Sequence, residues 1–186
     1  MNYVLIALLG IFVGGVVNML ADDLPHRRRI QFPPRYPDLS PRPVSAWLGL
    51  TAYLLGKRVA PSGSKLSWRH PATELLTAAL MLLALFSTEN DPKMTGLQFA
   101  FWLIYMAIFT LITVIDLEHR LILFVVVIPS YVVALIDAAT TGYGADLGEA
   151  ILGALVGFGV FFLLYMGGFL FTYILGKLNG RQITEV

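Results

Sequence analysis

Long apolar runs alternate with short polar breaks along the chain, and the runs set the architecture. Five of them approach the roughly 17–25 residues a helix needs to cross a bilayer. They cover about residues 3–21, 71–86, 97–115, 121–138 and 147–175. The second is the shortest, and the fifth is long enough that it must tilt or run past the membrane face. Ser45–Gly56, "SAWLGLTAYLLG", is apolar but too short to span, and reads as an interfacial helix. Residues 22–70 form one long polar connection, Pro-rich over "FPPRYPDLSPRP". Pro blocks helix continuation, so the first half of this loop is expected to be extended or irregular. The pattern predicts an all-α polytopic integral membrane protein, a single membrane domain over residues 1–186 with about five transmembrane helices.

Composition agrees. The chain is 57% hydrophobic and 13% charged, well beyond a soluble domain's usual apolar share. The first run has no basic n-region and no persuasive cleavage site before Asp22-Asp23, so it reads as a retained anchor rather than a signal peptide. A net charge of +1 argues against a nucleic-acid binder. The absence of Cys excludes disulfides, a thiolate metal site and a Cys nucleophile.

The placement of charge predicts orientation. Nine of the thirteen Lys and Arg residues lie between Asp22 and His70. Basic residues favour the cytoplasmic side, which puts this loop inside, the N-terminus outside and the C-terminus cytoplasmic. Twelve basic side chains are then inside and one, Lys93, outside. The cluster His26-Arg27-Arg28-Arg29 reads as an anchor to anionic lipid headgroups. Gly10 and Gly14 stand four apart, as do Gly153 and Gly157. That spacing lets helix backbones approach closely in lipid.

Three polar side chains converge on the cytoplasmic face. Asp116 ends the third run, where a carboxylate must face water, a partner or a site. Asn18 lies near the end of the first run, and Glu74 lies one turn into the second, where a helix N-terminus favours a carboxylate. Glu118 and His119 share with Asp116 what reads as a polar turn, "DLEHR". Two ligand-type side chains without a third make a weak metal site, so no metal or cofactor is expected.

The segments "GIFVGGVVNMLADDLP", "SWRHPATELLTAAL", "TVIDLEHRLIL" and "LGEAILGALVGFGVFFLLY" occur in that order. Together they resemble the type IV prepilin peptidases, polytopic Gly-x-Gly-Asp aspartic proteases of the bacterial inner membrane. The resemblance implies that Asp116 is the first catalytic aspartate and Glu74 the glutamate of an Arg-Tyr-Pro-x-x-Glu motif. It puts Asn18 in an expected supporting place, and Glu118 and His119, beside Asp116 on the same turn, are further supporting candidates. It also implies a substrate, the leader peptide of a pilin-like precursor, cut at the cytoplasmic membrane face. Some members methylate the new N-terminus, and no residue here marks a methyl-donor site.

The sequence departs from the family in four ways. The loop has no Cys-x-x-Cys pair, so no zinc is expected there. Leu123 and Phe124 stand where Pro and Asp or Asn are common, and Asp23 replaces an Arg before Leu24-Pro25. No Gly-x-Gly-Asp occurs in residues 1–186. A protease of this kind needs two carboxylates that share a proton, one activating water and one polarising the scissile carbonyl. The expectation therefore divides. If the chain continues beyond Val186 into the second motif, it cleaves leader peptides. Otherwise it is an incomplete relative serving as an accessory or scaffold subunit among partner membrane proteins. A small transporter or channel subunit is the third reading; no inverted repeat and no mid-span charge on the fourth or fifth run supports it.

Overall fold

The computed structural model describes residues 2–178, all helix and loop, in two compact units, Met1–Asp137 and Ala138–Val186, each treated by itself. The helices are α1 (Tyr3–Asp23), α2 (Gly49–Leu54), α3 (Arg69–Asn90), α4 (Gly96–His119), α5 (Phe124–Thr140) and α6 (Leu147–Leu178), with a 3-10 turn at Val44–Ala46. Side chains close the starts of α1 and α4. Asn2 accepts from the Val4 amide at 3.0 Å, and Thr95 accepts from the Gln98 amide at 3.2 Å.

α1, α3 and α4 pack against one another. The Gly10–Gly14 spacing serves the α1–α3 contact. A Cβ on Gly14 would lie 2.5 Å from the Glu74 Cα, and one on Gly10 would overlap the Ala78 backbone. Glycine is therefore what allows the two backbones to meet. At one end of the bundle Val17 and Ala21 pack on Leu111, Val114, Ile115 and Val126. At the other, Ala84, Leu85 and Phe99 form a second cluster. The long loop has its own small core of Tyr36, Ala46, Ala52, Ala60 and Leu66. Two tyrosine hydroxyls tie it, Tyr36 donating to the Lys57 carbonyl at 2.6 Å and Tyr53 to the Leu66 carbonyl at 2.8 Å.

Four helices among the described residues, α1, α3, α4 and α6, are long and apolar enough to cross a membrane. The run at 121–138 gives the shorter α5 of 17 residues, about 25 Å at 1.5 Å per residue. It starts late because Arg120 takes a left-handed conformation (φ 51°) and Leu121–Leu123 are not helical. Pro129 lies inside it and leaves the Val125 carbonyl without its helical donor. The shortest expected span is longer than its apolar pattern, because polar Arg69, His70 and Ser87–Asn90 stay helical. The expected polar turn at Asp116–Arg120 is also mostly helix. α4 continues through His119, and its C-cap Arg120 donates its amide to the Asp116 carbonyl at 2.9 Å.

Candidate functional site

α1 ends with a face built on a spacing of four. Asn18 and Asp22 lie one above the other, as i and i+4 positions do. Asn18 is buried and donates to the His70 carbonyl at 2.9 Å and, more loosely, to Glu74 at 3.4 Å. Glu74 is fully buried. Its Oε1 accepts from the Gly49 amide at 2.5 Å and its Oε2 from the Leu50 amide at 2.7 Å. Those are the first two amides of α2, which have no partner within the helix. Both oxygens of Glu74 are thus held by a helix start, and Asn18 braces the same joint.

One turn further along, Asp22 is a hub. Its carboxylate pairs with Arg69, sits 3.1 Å from His70 Nε2 and 3.6 Å from Arg42 Nη2. Arg69 reaches the other way to donate to Glu118 Oε2 at 2.8 Å. His119 Nε2 lies 3.8 Å from the same oxygen, and its ring meets the His26 ring edge-on at 5.4 Å. Arg42 is 4% exposed and also donates to the Arg35 carbonyl at 2.7 Å. Burial pulls its guanidinium below the ordinary value, and the charge of Asp22 opposes that shift. Asp22, Arg42, His70, Glu118 and His119 border a cavity of about 300 Å³ between the ends of α1 and α4 and the loop, lined also by Asp23, Arg28 and Arg35. Asp22 and Glu118 do not form a proton-sharing pair, because Arg69 bridges them. No group of three or more metal-ligating side chains occurs among the described residues.

Asp116 lies elsewhere. It is exposed and does not line the cavity. Two residues along a helix turn a side chain by about 200°, so Glu118 faces Arg69 while Asp116 faces away. Of the carboxylates among the described residues, Asp116 is the one with neither a hydrogen bond nor an ion pair. The structure therefore brings Asn18 and Glu74 together, groups Glu118 with His119, and leaves Asp116 uncommitted.

The sequence marked Arg69 and His70 only as neighbours of Glu74, and Asp22 and Arg42 only as polar residues of the loop, and yet the four make most of the polar cluster. The signal for Asp22 was its spacing of four from Asn18. The nearest approach to Gly-x-Gly-Asp is Gly142-Tyr143-Gly144-Ala145-Asp146, with one Ala too many. Both glycines hold positive φ, 60° and 87°. Asp146 accepts from the Glu149 amide at 2.8 Å while Glu149 accepts from the Asp146 amide at 3.2 Å. That reciprocal pair is a capping box at the start of α6.

Residues 103–176, which cover most of α4, all of α5 and nearly all of α6, match the type IV leader peptidase family. This is consistent with a relative of the prepilin peptidases. No curated protein and no solved structure matches the chain.

Proposed function

We propose that this protein is a prepilin-peptidase-like component of the bacterial inner membrane, with Asp116 as one carboxylate of an aspartic endopeptidase that cuts the leader of pilin-like precursors at the cytoplasmic face. The observation that carries this reading is the free carboxylate of Asp116, inside the stretch that matches the family. A carboxylate that is to hold the attacking water needs unused lone pairs. Both oxygens of Glu74 are bound to α2, those of Asp22 are held by Arg69 and His70, and Glu118 is tied through Oε2 to Arg69. In this reading water attacks the scissile carbonyl, one carboxylate takes its proton, and the partner acid protonates the departing amine. Asp22, Arg69 and Glu118 hold the ends of α1, α3 and α4 in register beside it.

The test is co-expression of the natural full-length product with a pilin-like precursor, scoring leader removal by mobility. Asp116→Asn should abolish cleavage, whereas Glu118→Gln should reduce it only in part. Equal cleavage by Asp116→Asn and the parent would refute the assignment. A second reading has its own observation, the lack of Gly-x-Gly-Asp within residues 1–186. A single free carboxylate among the described residues fits an accessory subunit of a membrane complex. It predicts no cleavage by the parent and stable co-purification with partner membrane proteins.

A further inference from the structure

α2 starts well below the polar end of the bundle. Leu48, immediately before it, places its side chain where a Cβ on Gly15 would sit, at 2.5 Å from Leu48 Cδ2. Gly15 is eight residues before Asp23, about 12 Å along α1. Glu74, which holds the first two amides of α2, packs by its own Cα against Gly14. Gly49 lies against His70 and Pro71 in the first turn of α3. The start of α2 is therefore wedged between two membrane-spanning helices, inside their length.

A buried carboxylate on both leading amides is the satisfaction that such a depth demands. Backbone N–H groups there have no water to turn to, and each left unpaired costs several kcal/mol. α2 has six residues, about 9 Å of helix. Gly49 packs on His70, whose carbonyl Asn18 holds, and Asn18 lies five residues or about 7.5 Å before Asp23, so even a straight rise along the bilayer normal from Gly49 to Leu54 would regain only about 7.5 Å. Leu54 and Leu55 are thus at or beneath the level of the helix ends. They are also 77% and 59% exposed. Trp68, 73% exposed at the start of α3, occupies the position where aromatic side chains gather at a membrane interface. Lys57 and Arg58 follow α2 directly, suited to phosphate headgroups above it.

We propose that Leu48–Leu55 is a short re-entrant segment held down by Glu74, and that Leu54 and Leu55 lie against the acyl chains of the leaflet on the loop side. The occupant of this apolar face is lipid, because the segment sits at the depth of the acyl boundary and its outward side chains are aliphatic.

The chain has no Cys, so a single nitroxide is cleanly placed. Leu54→Cys and Leu55→Cys would be spin-labelled in vesicles of phosphatidylcholine and phosphatidylglycerol, with Ser62→Cys on the loop and Leu83→Cys on the exposed face of α3 as references. Collision with oxygen reports lipid, and collision with a water-soluble nickel chelate reports water. Labels at 54 and 55 should lose most of the nickel collision seen at 62 and keep the oxygen collision seen at 83. Nickel collision equal to that at 62 would place α2 in water and overturn the proposal. Shielding from both reagents would mean that protein covers the site, which overturns it equally. Adding Glu74→Ala to Leu55→Cys should raise nickel collision as the segment is released; no change would show that Glu74 is not its anchor.

Discussion

Glu74→Ala tests whether Glu74 is a clamp or a chemical group. The substitution removes acceptors from two amides, Gly49 at 2.5 Å and Leu50 at 2.7 Å, and leaves Asn18 one partner fewer. A hydrogen bond to a charged group contributes about 1.5–3 kcal/mol, so the two short bonds together are worth about 3–6 kcal/mol. The longer Asn18 contact adds little. Against that, the variant no longer buries a carboxylate, whose desolvation offsets part of the gain. A net destabilisation of about 3 kcal/mol is expected, and it should be local. Glu74→Gln retains one acceptor oxygen but points an NH2 at an amide donor, so about half of that loss is expected. Hydrogen exchange measured by mass spectrometry on peptides covering residues 48–55 provides the assay. A 3 kcal/mol loss of protection is roughly a hundredfold faster exchange, confined to α2 and its flanks. Unchanged exchange in Glu74→Ala, alongside a loss of leader cleavage, would refute the clamp and return Glu74 to the chemistry.

Other outcomes follow from the same contacts. Gly14→Ala should cost about 1–3 kcal/mol by forcing α1 from α3, since the new Cβ would lie 2.5 Å from the Glu74 backbone; unfolding in mixed micelles measures it, and a neutral result would contradict the packing. Arg69→Met should cost about 1–3 kcal/mol, a range discounted because the side chains of Asp22 and Glu118 are each 38% exposed. A second substitution, Asp22→Asn, should recover part of that loss, and strict additivity would show that the two residues do not interact. On orientation, Ser62→Cys should be shielded from an impermeant thiol reagent in intact cells and Asn90→Cys should react; the reverse pattern would invert the topology read from the basic residues.

The long apolar runs made α1, α3, α4 and α6 legible, because in lipid a helix must satisfy its own backbone and apolar length alone reveals it. Helix ends were less legible. α3 runs on through Ser87–Asn90, with the Thr88 hydroxyl donating to the Ala84 carbonyl at 2.8 Å, and "DLEH" stays helical because the break waits for the left-handed Arg120. A polar composition marks the membrane boundary rather than the helix boundary, and the two differ by about a turn here. The site was legible as a set of residues but not as a set of partners. Glu74 closes a helix start 25 positions away, and Arg69 reaches Glu118 across 49. Neither pairing leaves a periodic trace. Asp22 looked like the charge that ends an apolar run, and only the meeting of α1 with α3 makes it a hub.

The position of Asp116 on α4 carries a stability argument that separates it from the other acids. It lies in the last helical turn, three residues before His119, where the negative end of the helix dipole disfavours a carboxylate by about 0.3–1 kcal/mol. No donor or cation among the described residues compensates it, unlike Asp22 and Glu118, which Arg69 holds. Asp116→Asn should therefore raise stability, by a few tenths of a kcal/mol at low salt and less at high salt, as screening weakens the dipole interaction. Asp22→Asn should lower it, since the ion pair with Arg69 and the contact with His70 both weaken. A carboxylate that is costly to the fold and free of partners, in the stretch that matches a peptidase family, is what the role proposed for Asp116 requires. Unfolding of the two variants side by side in the same micelles decides this. If Asp116→Asn proves destabilising by more than about 1 kcal/mol, beyond the range of the dipole effect, then Asp116 has a structural partner and its carboxylate is not free for chemistry.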